Sequence, residues 1–286
     1  MFGRSLIICL ILSVLIVDAT QLLSSVANHR HSRLLGLLKR VQKTHTHAPL
    51  APPLDLSAKA AYNFAVDFAV SASLSTLQCL YQQGYNSVFI QVYGPANGGS
   101  VNSAGCQAVI NSYSANLGTE IYITPATSGK TGQQQFDEAF NAMKSAGINV
   151  RSVWLQVTSP INWPNNLQTN VNLIQSFINR ATSYGISAGI YTNWYDWQQI
   201  TGAYTGFQSS RLWYWNSLGQ GQNAEAGATF DDYRTFGGWS SPAVKQFALN
   251  ENLCGLTLNR DVYPQGSKSV AELVKQNDKP TVGGFV

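Results

Sequence analysis

The chain has 286 residues, 11% of them charged, and a formal net charge of +4 from 18 Lys and Arg against 14 Asp and Glu. Seven of the basic residues but only two of the acidic ones precede residue 61, so the positive excess belongs to the N-terminal stretch and the rest offers no basic surface for nucleic acid. All four histidines (His29, His31, His45 and His47) lie in that stretch too. This excludes Ser-His-Asp and Cys-His nucleophile systems, and His-rich zinc sites, from residues 61–286. No phosphate-cradling Gly-rich pattern is present, and neither metal nor cofactor is expected.

Arg4 precedes an apolar run from Leu6 to Val17, followed by Asp18-Ala19-Thr20. The run is too short to span a bilayer and has the form of a secretory signal peptide over residues 1–19. The expectation is a secreted, extracellular protein with no membrane association after signal removal. Residues 20–60 carry Arg30, Arg33, Lys39, Arg40, Lys43 and Lys59 against Asp55, with Pro49, Pro52 and Pro53. They read as a basic, disordered pro-segment or linker. Residues 61–286 are long enough for one large core.

Strand and helix patterns then alternate. Tyr62–Ala69 alternates bulky with small or polar residues, and Leu74, Leu77 and Tyr81 recur at helical spacing up to Gly84. Ser87–Tyr93 reads as the second strand and residues 104–116 as a helix. Glu120–Thr124 is the third strand, and Phe136, Phe140 and Met143 mark the next helix. Arg151–Thr158 is the fourth strand: Val153, Leu155 and Val157 point one way, and Ser152, Trp154, Gln156 and Thr158 the other. A long amphipathic helix runs from Leu167 to Ala181. Ile186–Tyr191 is the fifth strand, followed by a short helix capped by Asn193 or Asp196. Beyond residue 201 the helical period stops. Arg211–Trp215, Ala243–Leu249 and Gly255–Tyr263 read as strands, with a last short helix near 268–276. Five strand–helix units followed by three strands predict an α/β fold, an irregular β/α barrel of TIM-like type.

In such barrels function sits at the C-terminal strand ends. Those ends carry Asp67, Gln91, Tyr93, Tyr122, Gln156, Thr158, Tyr191, Trp213 and Asn259 or Asp261. Aromatic faces stack on sugar rings while amides and hydroxyls bond their hydroxyl groups, so Gln91, Tyr93, Tyr122, Tyr191 and Trp213 are the candidate substrate-binding residues. Three cysteines remain after the signal: Cys79, Cys106 and Cys254. Secretion implies one disulfide and one free thiol. Three pairings are open; barrel closure, which sets the last strand beside the first strand and its helix, favours Cys79–Cys254.

Several stretches together carry a family resemblance. They are Ala65-Val-Asp67-Phe, Ser87-Val-Phe-Ile-Gln91, Val153-Trp-Leu-Gln156-Val-Thr158, Gly189-Ile-Tyr-Thr-Asn193, Leu212-Trp-Tyr-Trp215, Lys245-Gln-Phe247 and Cys254-Gly-Leu-Thr-Leu-Asn259-Arg-Asp261-Val-Tyr263. Over essentially all of 61–286 the chain resembles the nematode and amoeba branch of glycoside hydrolase family 25, Chalaropsis-type lysozymes that cut peptidoglycan. The resemblance implies an acid on the first strand, an Asp-x-Glu pair on the fourth and an Asp on the last. The first matches Asp67. The pair falls on Gln156 and Thr158, so both carboxylates are replaced. The last falls on Asn259, or on Asp261 if the register slips by two.

Glycoside hydrolysis needs a proton for the leaving oxygen and negative charge opposite a cationic transition state. Gln cannot supply either, and a Thr hydroxyl is too weak an acid near neutral pH. The implied protein is a monomeric, lysozyme-like binder of bacterial cell-wall glycan in defence or digestion, with hydrolysis lost or much reduced. The alternative is an active muramidase with a substituted acid. Glu225, Asp231 and Asp232, in the long loop before Trp239, are the candidates for that substitution, although loop acids are usually exposed.

Overall fold

The computed structural model describes residues 50–54, 62–266 and 279–284. The signal peptide expected over 1–19, most of the 20–60 segment and the helix expected near 268–276 lie outside the described residues.

Eight strands form a closed barrel: β1 (Tyr62–Phe68), β2 (Ser87–Gly94), β3 (Gly118–Ile123), β4 (Ser152–Gln156), β5 (Ser187–Thr192), β6 (Leu212–Trp215), β7 (Val244–Leu253) and β8 (Leu256–Pro264). β1 to β7 run parallel in sequence order, β8 folds back antiparallel on β7, and β1 closes the ring by pairing with both β2 and β8. Helices α1 (Leu74–Gln82), α2 (Ser103–Ser114), α3 (Gly132–Ser145), α4 (Leu167–Ser183) and α5 (Trp194–Thr201) follow the first five strands. β6 and β7 are joined by residues 216–243, which form no α-helix.

Local chemistry fixes the helix starts. Ser73, Asn102, Asn166 and Asn193 each accept a backbone N–H from the first turn of α1, α2, α4 and α5, and Thr131 with Gln134 forms a reciprocal capping box on α3. Asn193, not Asp196, caps α5.

Strand alternation sorts side chains into two cores. Outward residues such as Phe64, Val66, Val153, Leu155 and Ile190 pack under the helices. Inward residues, among them Ala65, Phe89, Trp154 and Tyr263, fill the barrel. Trp154 fits because β5 presents Gly189 beside it; a Cβ there would lie 2.3 Å from the indole ring. Its Nε1 donates to the buried Glu120 at 2.9 Å, and Glu120 also accepts the backbone N–H of Gly284. The C-terminal segment Thr281–Val282 pairs alongside Asn149–Val150.

Cys79 and Cys254 are disulfide-bonded, tying α1 to the β7–β8 turn, and Cys106 is a buried free thiol. Residues 50–54 differ from the disordered pro-segment expected over 20–60. Leu50 bridges to Asn252, the Ala51 N–H donates to the Asn252 carbonyl at 2.8 Å, and Leu54 packs on the outer core.

Candidate functional site

At the C-terminal rim a neutral hydrogen-bond relay links β2, β3 and β4. Gln91 Nε2 donates to Thr124 Oγ1 at 2.7 Å, Thr124 Oγ1 donates to Gln156 Oε1 at 2.5 Å, and Gln156 Nε2 donates to Thr158 Oγ1 at 2.9 Å. Asn102 Nδ2 reaches Gln91 Oε1 at 3.4 Å. Gly105 lets α2 approach β2 closely, because a Cβ there would sit 1.9 Å from the Gln91 carbonyl oxygen. Gln156 and Thr158 therefore lie at the rim on the inner face, and neither carries a charge.

A second relay crosses from β5 to β1. Tyr191 OH donates to Gln246 Oε1 at 2.8 Å, Gln246 Nε2 donates to Asp67 Oδ2 at 2.5 Å, and Asn259 Nδ2 donates to Asp67 Oδ1 at 2.9 Å. The β1–β8 register sets Asn259 directly opposite Asp67, and Asp261 opposite Ala65, one layer deeper. Asn259 is thus the rim residue of the last strand. Asp261 is fully buried; its Oδ1 accepts from Trp213 Nε1 at 2.9 Å, and its Oδ2 has no donor among the ordinary hydrogen bonds.

The two carboxyl groups face each other, so a proton between them supplies the missing donor. Burial pushes Asp67 up to about 6 against the hydrogen bonds of Gln246, Asn259 and Asp261. Burial first, and the charge of Asp67 second, push Asp261 well above the usual carboxylate range despite the Trp213 hydrogen bond. Both shifts favour the protonated form of the pair.

The aromatic candidates sit differently from the sequence expectation. Tyr122, Tyr191 and Trp213 do point inward, but all three are buried, with Tyr191 stacked on Trp213 at 4.0 Å and Tyr122 edge-on to both. They form the floor beneath the cleft, and Trp213 has no free face for a ligand. Tyr93 is not in the cleft. The β2–β3 register shifts between Gln91 and Tyr93, and this bulge turns Tyr93 into the outer core, where its hydroxyl donates to Glu138 at 2.6 Å.

The loop acids have partners of their own. Asp232 accepts from Tyr214 OH at 2.6 Å, Asn216 Nδ2 at 2.5 Å and Lys245 Nζ at 2.7 Å. Burial raises its carboxyl, but the hydrogen bonds from Lys245, Tyr214 and Asn216 outweigh it and hold the group below its usual range. Glu225 accepts from Arg260 Nη1 at 2.5 Å on the outer side of β8, and Asp231 is exposed beside the Thr229 hydroxyl.

Sequence reasoning missed Thr124, Gln246 and Asp196. Asp196, on the first turn of α5, is buried and accepts from Trp215 Nε1 at 3.0 Å. Burial pushes its carboxyl up against the Trp215 and Ser159 hydrogen bonds. Among the described residues no group of three or more His, Cys, Asp or Glu could hold a metal.

A family model described as Lysozyme-like protein 1 matches residues 58–247. Lysozyme-like protein 7 of Caenorhabditis elegans is 46% identical over 229 residues, covering 79% of this chain and 80% of that protein. Probable GH family 25 lysozyme 4 of Dictyostelium discoideum is 30% identical over 205 residues, covering 70% and 89%. The solved structure of a family GH25 lysozyme from Aspergillus fumigatus aligns over 75% of this chain and 98% of that one, with a TM-score of 0.57 and 15% identity, a likeness of fold.

Proposed function

Because the chain belongs to the lysozyme-like proteins of glycoside hydrolase family 25, we infer that it is a secreted protein that binds bacterial peptidoglycan or a related glycan in innate defence or digestion, with hydrolysis lost or much reduced. One observation carries this reading: the rim of β4 ends in Gln156 and Thr158, joined to Thr124 and Gln91 in a relay of uncharged groups. Such a rim satisfies sugar hydroxyls with amide and hydroxyl partners. It has no acid of suitable strength to protonate a leaving oxygen, and an acid–base partner is worth roughly two to four orders of magnitude in rate. Across the cleft Asp67 is clamped by two amide donors, an arrangement suited to holding a ligand group in place.

The test is sedimentation of the purified chain with insoluble peptidoglycan, run beside clearing of a cell-wall suspension. Cosedimentation without clearing supports the reading. Absence of cosedimentation would overturn it.

The second reading, a muramidase with a substituted acid, draws on Asp67 itself. With burial pushing its carboxyl up to about 6, Asp67 holds a proton below that pH and could donate it. Activity of that origin rises as pH falls through about 6 and disappears in Asp67→Asn.

A further inference from the structure

The charges of residues 61–286 nearly balance in sum, but they are unevenly placed. Of the nine described Lys and Arg side chains beyond residue 61, Lys130, Arg180, Lys245 and Arg260 are ion-paired. Lys144, Arg151, Arg211, Lys279 and Arg234 have no ion pair among the described residues. Four of those five sit at the N-terminal end of the barrel, opposite the rim of Gln156 and Thr158. Arg151 and Arg211 immediately precede β4 and β6, and Lys144 lies in the last turn of α3. Lys279 adjoins Pro280, whose carbonyl accepts the Asn149 N–H.

This end is also grooved. Three depressions of about 350, 460 and 500 Å³ run into one another. Ser209, Ser210 and Arg211 line both the first and the second, and Gly185, Ile186 and Ser187 line both the first and the third. No acidic residue is on the lining. Glu120 lies behind it, fully buried, with its carboxyl taken up by Ser152 Oγ and Trp154 Nε1. Between the cations the wall carries hydroxyls. Ser187, Ser209, Ser240 and Ser241 are exposed and make no side-chain hydrogen bond among the described residues. The exposed aromatic ring of the lining, Tyr184, is covered by the Arg180 guanidinium at 4.8 Å. Lys144 complements the carbonyl end of α3, but Arg151 and Arg211 belong to no helix, and no side-chain contact uses either guanidinium among the described residues.

We propose that this groove binds an anionic polyol phosphate, a phosphodiester-linked polymer of the bacterial wall, on the face opposite the glycan cleft. Spaced cations with hydroxyls between them match a chain that carries one negative charge per hydroxyl-bearing repeat. A guanidinium pairs with phosphate oxygens through parallel N–H donors. A single-stranded nucleic acid would need open aromatic faces for its bases, and the groove offers none. The proposal goes beyond the glycan-binding reading and adds a second, independent contact with the same wall, which raises retention because the second contact is made within an already tethered complex.

The experiment titrates the full chain by calorimetry with poly(glycerol phosphate) at low salt, beside sedimentation with peptidoglycan stripped of its phosphate polymer. The native protein binds the polymer. Arg211→Gln, at an exposed position, weakens it about fivefold, the scale of one solvent-exposed charge pair. Adding Lys144→Gln takes the loss to about twentyfold. Arg234→Gln removes the unpaired cation of the opposite end and leaves polymer affinity within about twofold of native. All three variants sediment with stripped peptidoglycan as the native chain does. Absence of polymer binding, an Arg211→Gln variant that binds as the native chain does, or an equal loss in Arg234→Gln would overturn the proposal. So would tighter binding of a single-stranded DNA of matched charge. Failure of the native chain to sediment with stripped peptidoglycan would instead overturn the glycan reading of the cleft.

Discussion

Asp261→Asn is predicted to stabilise the protein, by an amount that grows with pH. Asp261 is fully buried at the centre of the barrel, with burial and the neighbouring Asp67 both pushing its carboxyl well above the usual range. An acid with a raised folded-state pKa binds its proton more tightly folded than unfolded. Its contribution to stability is therefore present at low pH and is lost as pH rises above the unfolded value. For each pH unit over which the folded chain holds that proton and the unfolded chain does not, about 1.4 kcal/mol is lost. Asp67, pushed from 3.8 to about 6, loses in the same direction, about 3 kcal/mol across that window. Asparagine mimics protonated Asp261: its Oδ1 accepts from Trp213 Nε1, and its Nδ2 points a donor at Asp67. Urea unfolding of the native chain and the variant should give nearly equal stabilities near pH 4. The curves should then separate by about 1.4 kcal/mol per pH unit above that, in favour of the variant. Parallel curves, or a variant less stable at pH 7, would mean that Asp261 is ionised in the fold and that the shared-proton account is wrong.

Restoring charge to the rim with Gln156→Asp, Thr158→Glu and Asn259→Asp together should yield measurable reducing-end release from peptidoglycan, at least about a hundredfold above the native chain. Lys245→Met should lower stability by about 2–3 kcal/mol in urea, less than a fully buried pair because Asp232 keeps some solvent, and should open residues 226–232 to limited proteolysis. Replacing Cys79 and Cys254 by serine should cost about 5 kcal/mol of unfolding free energy, since the bridge spans 175 residues.

The eight barrel strands were legible because each carries a period-two pattern with its own turn residues. The pattern failed where backbone geometry broke it. Tyr93 continues the alternation of Gln91, and only the bulge between them, which has no residue signature, sends its ring outward. Alternation also says which way a side chain points but not how deep it lies, so Tyr122, Tyr191 and Trp213 read as a sugar platform and prove to be its buried floor. The same limit applied to the last strand. Asn259 and Asp261 share a face, and the antiparallel register with β1 was needed to put Asn259 at the rim and Asp261 below it. Gln246 lies two residues after the inward-facing Val244, so its direction was readable, but its partner Asp67 is 179 positions away and no local pattern joins them. Asp232 and Glu225 read as loop charge because their cations, Lys245 and Arg260, come from the two strands that follow, 13 and 35 residues on.

The central claim, that an uncharged rim binds glycan without cutting it, is tested most directly by measuring reducing-end release from purified peptidoglycan by the native chain between about pH 4 and 8, over a range that brackets the Asp67 transition near 6. The account predicts release at the level of the enzyme-free blank at every pH, from protein that cosediments with the same substrate. Release well above the blank that is abolished by Asp67→Asn, Asp196→Asn or Asp232→Asn would contradict it and identify the acid responsible.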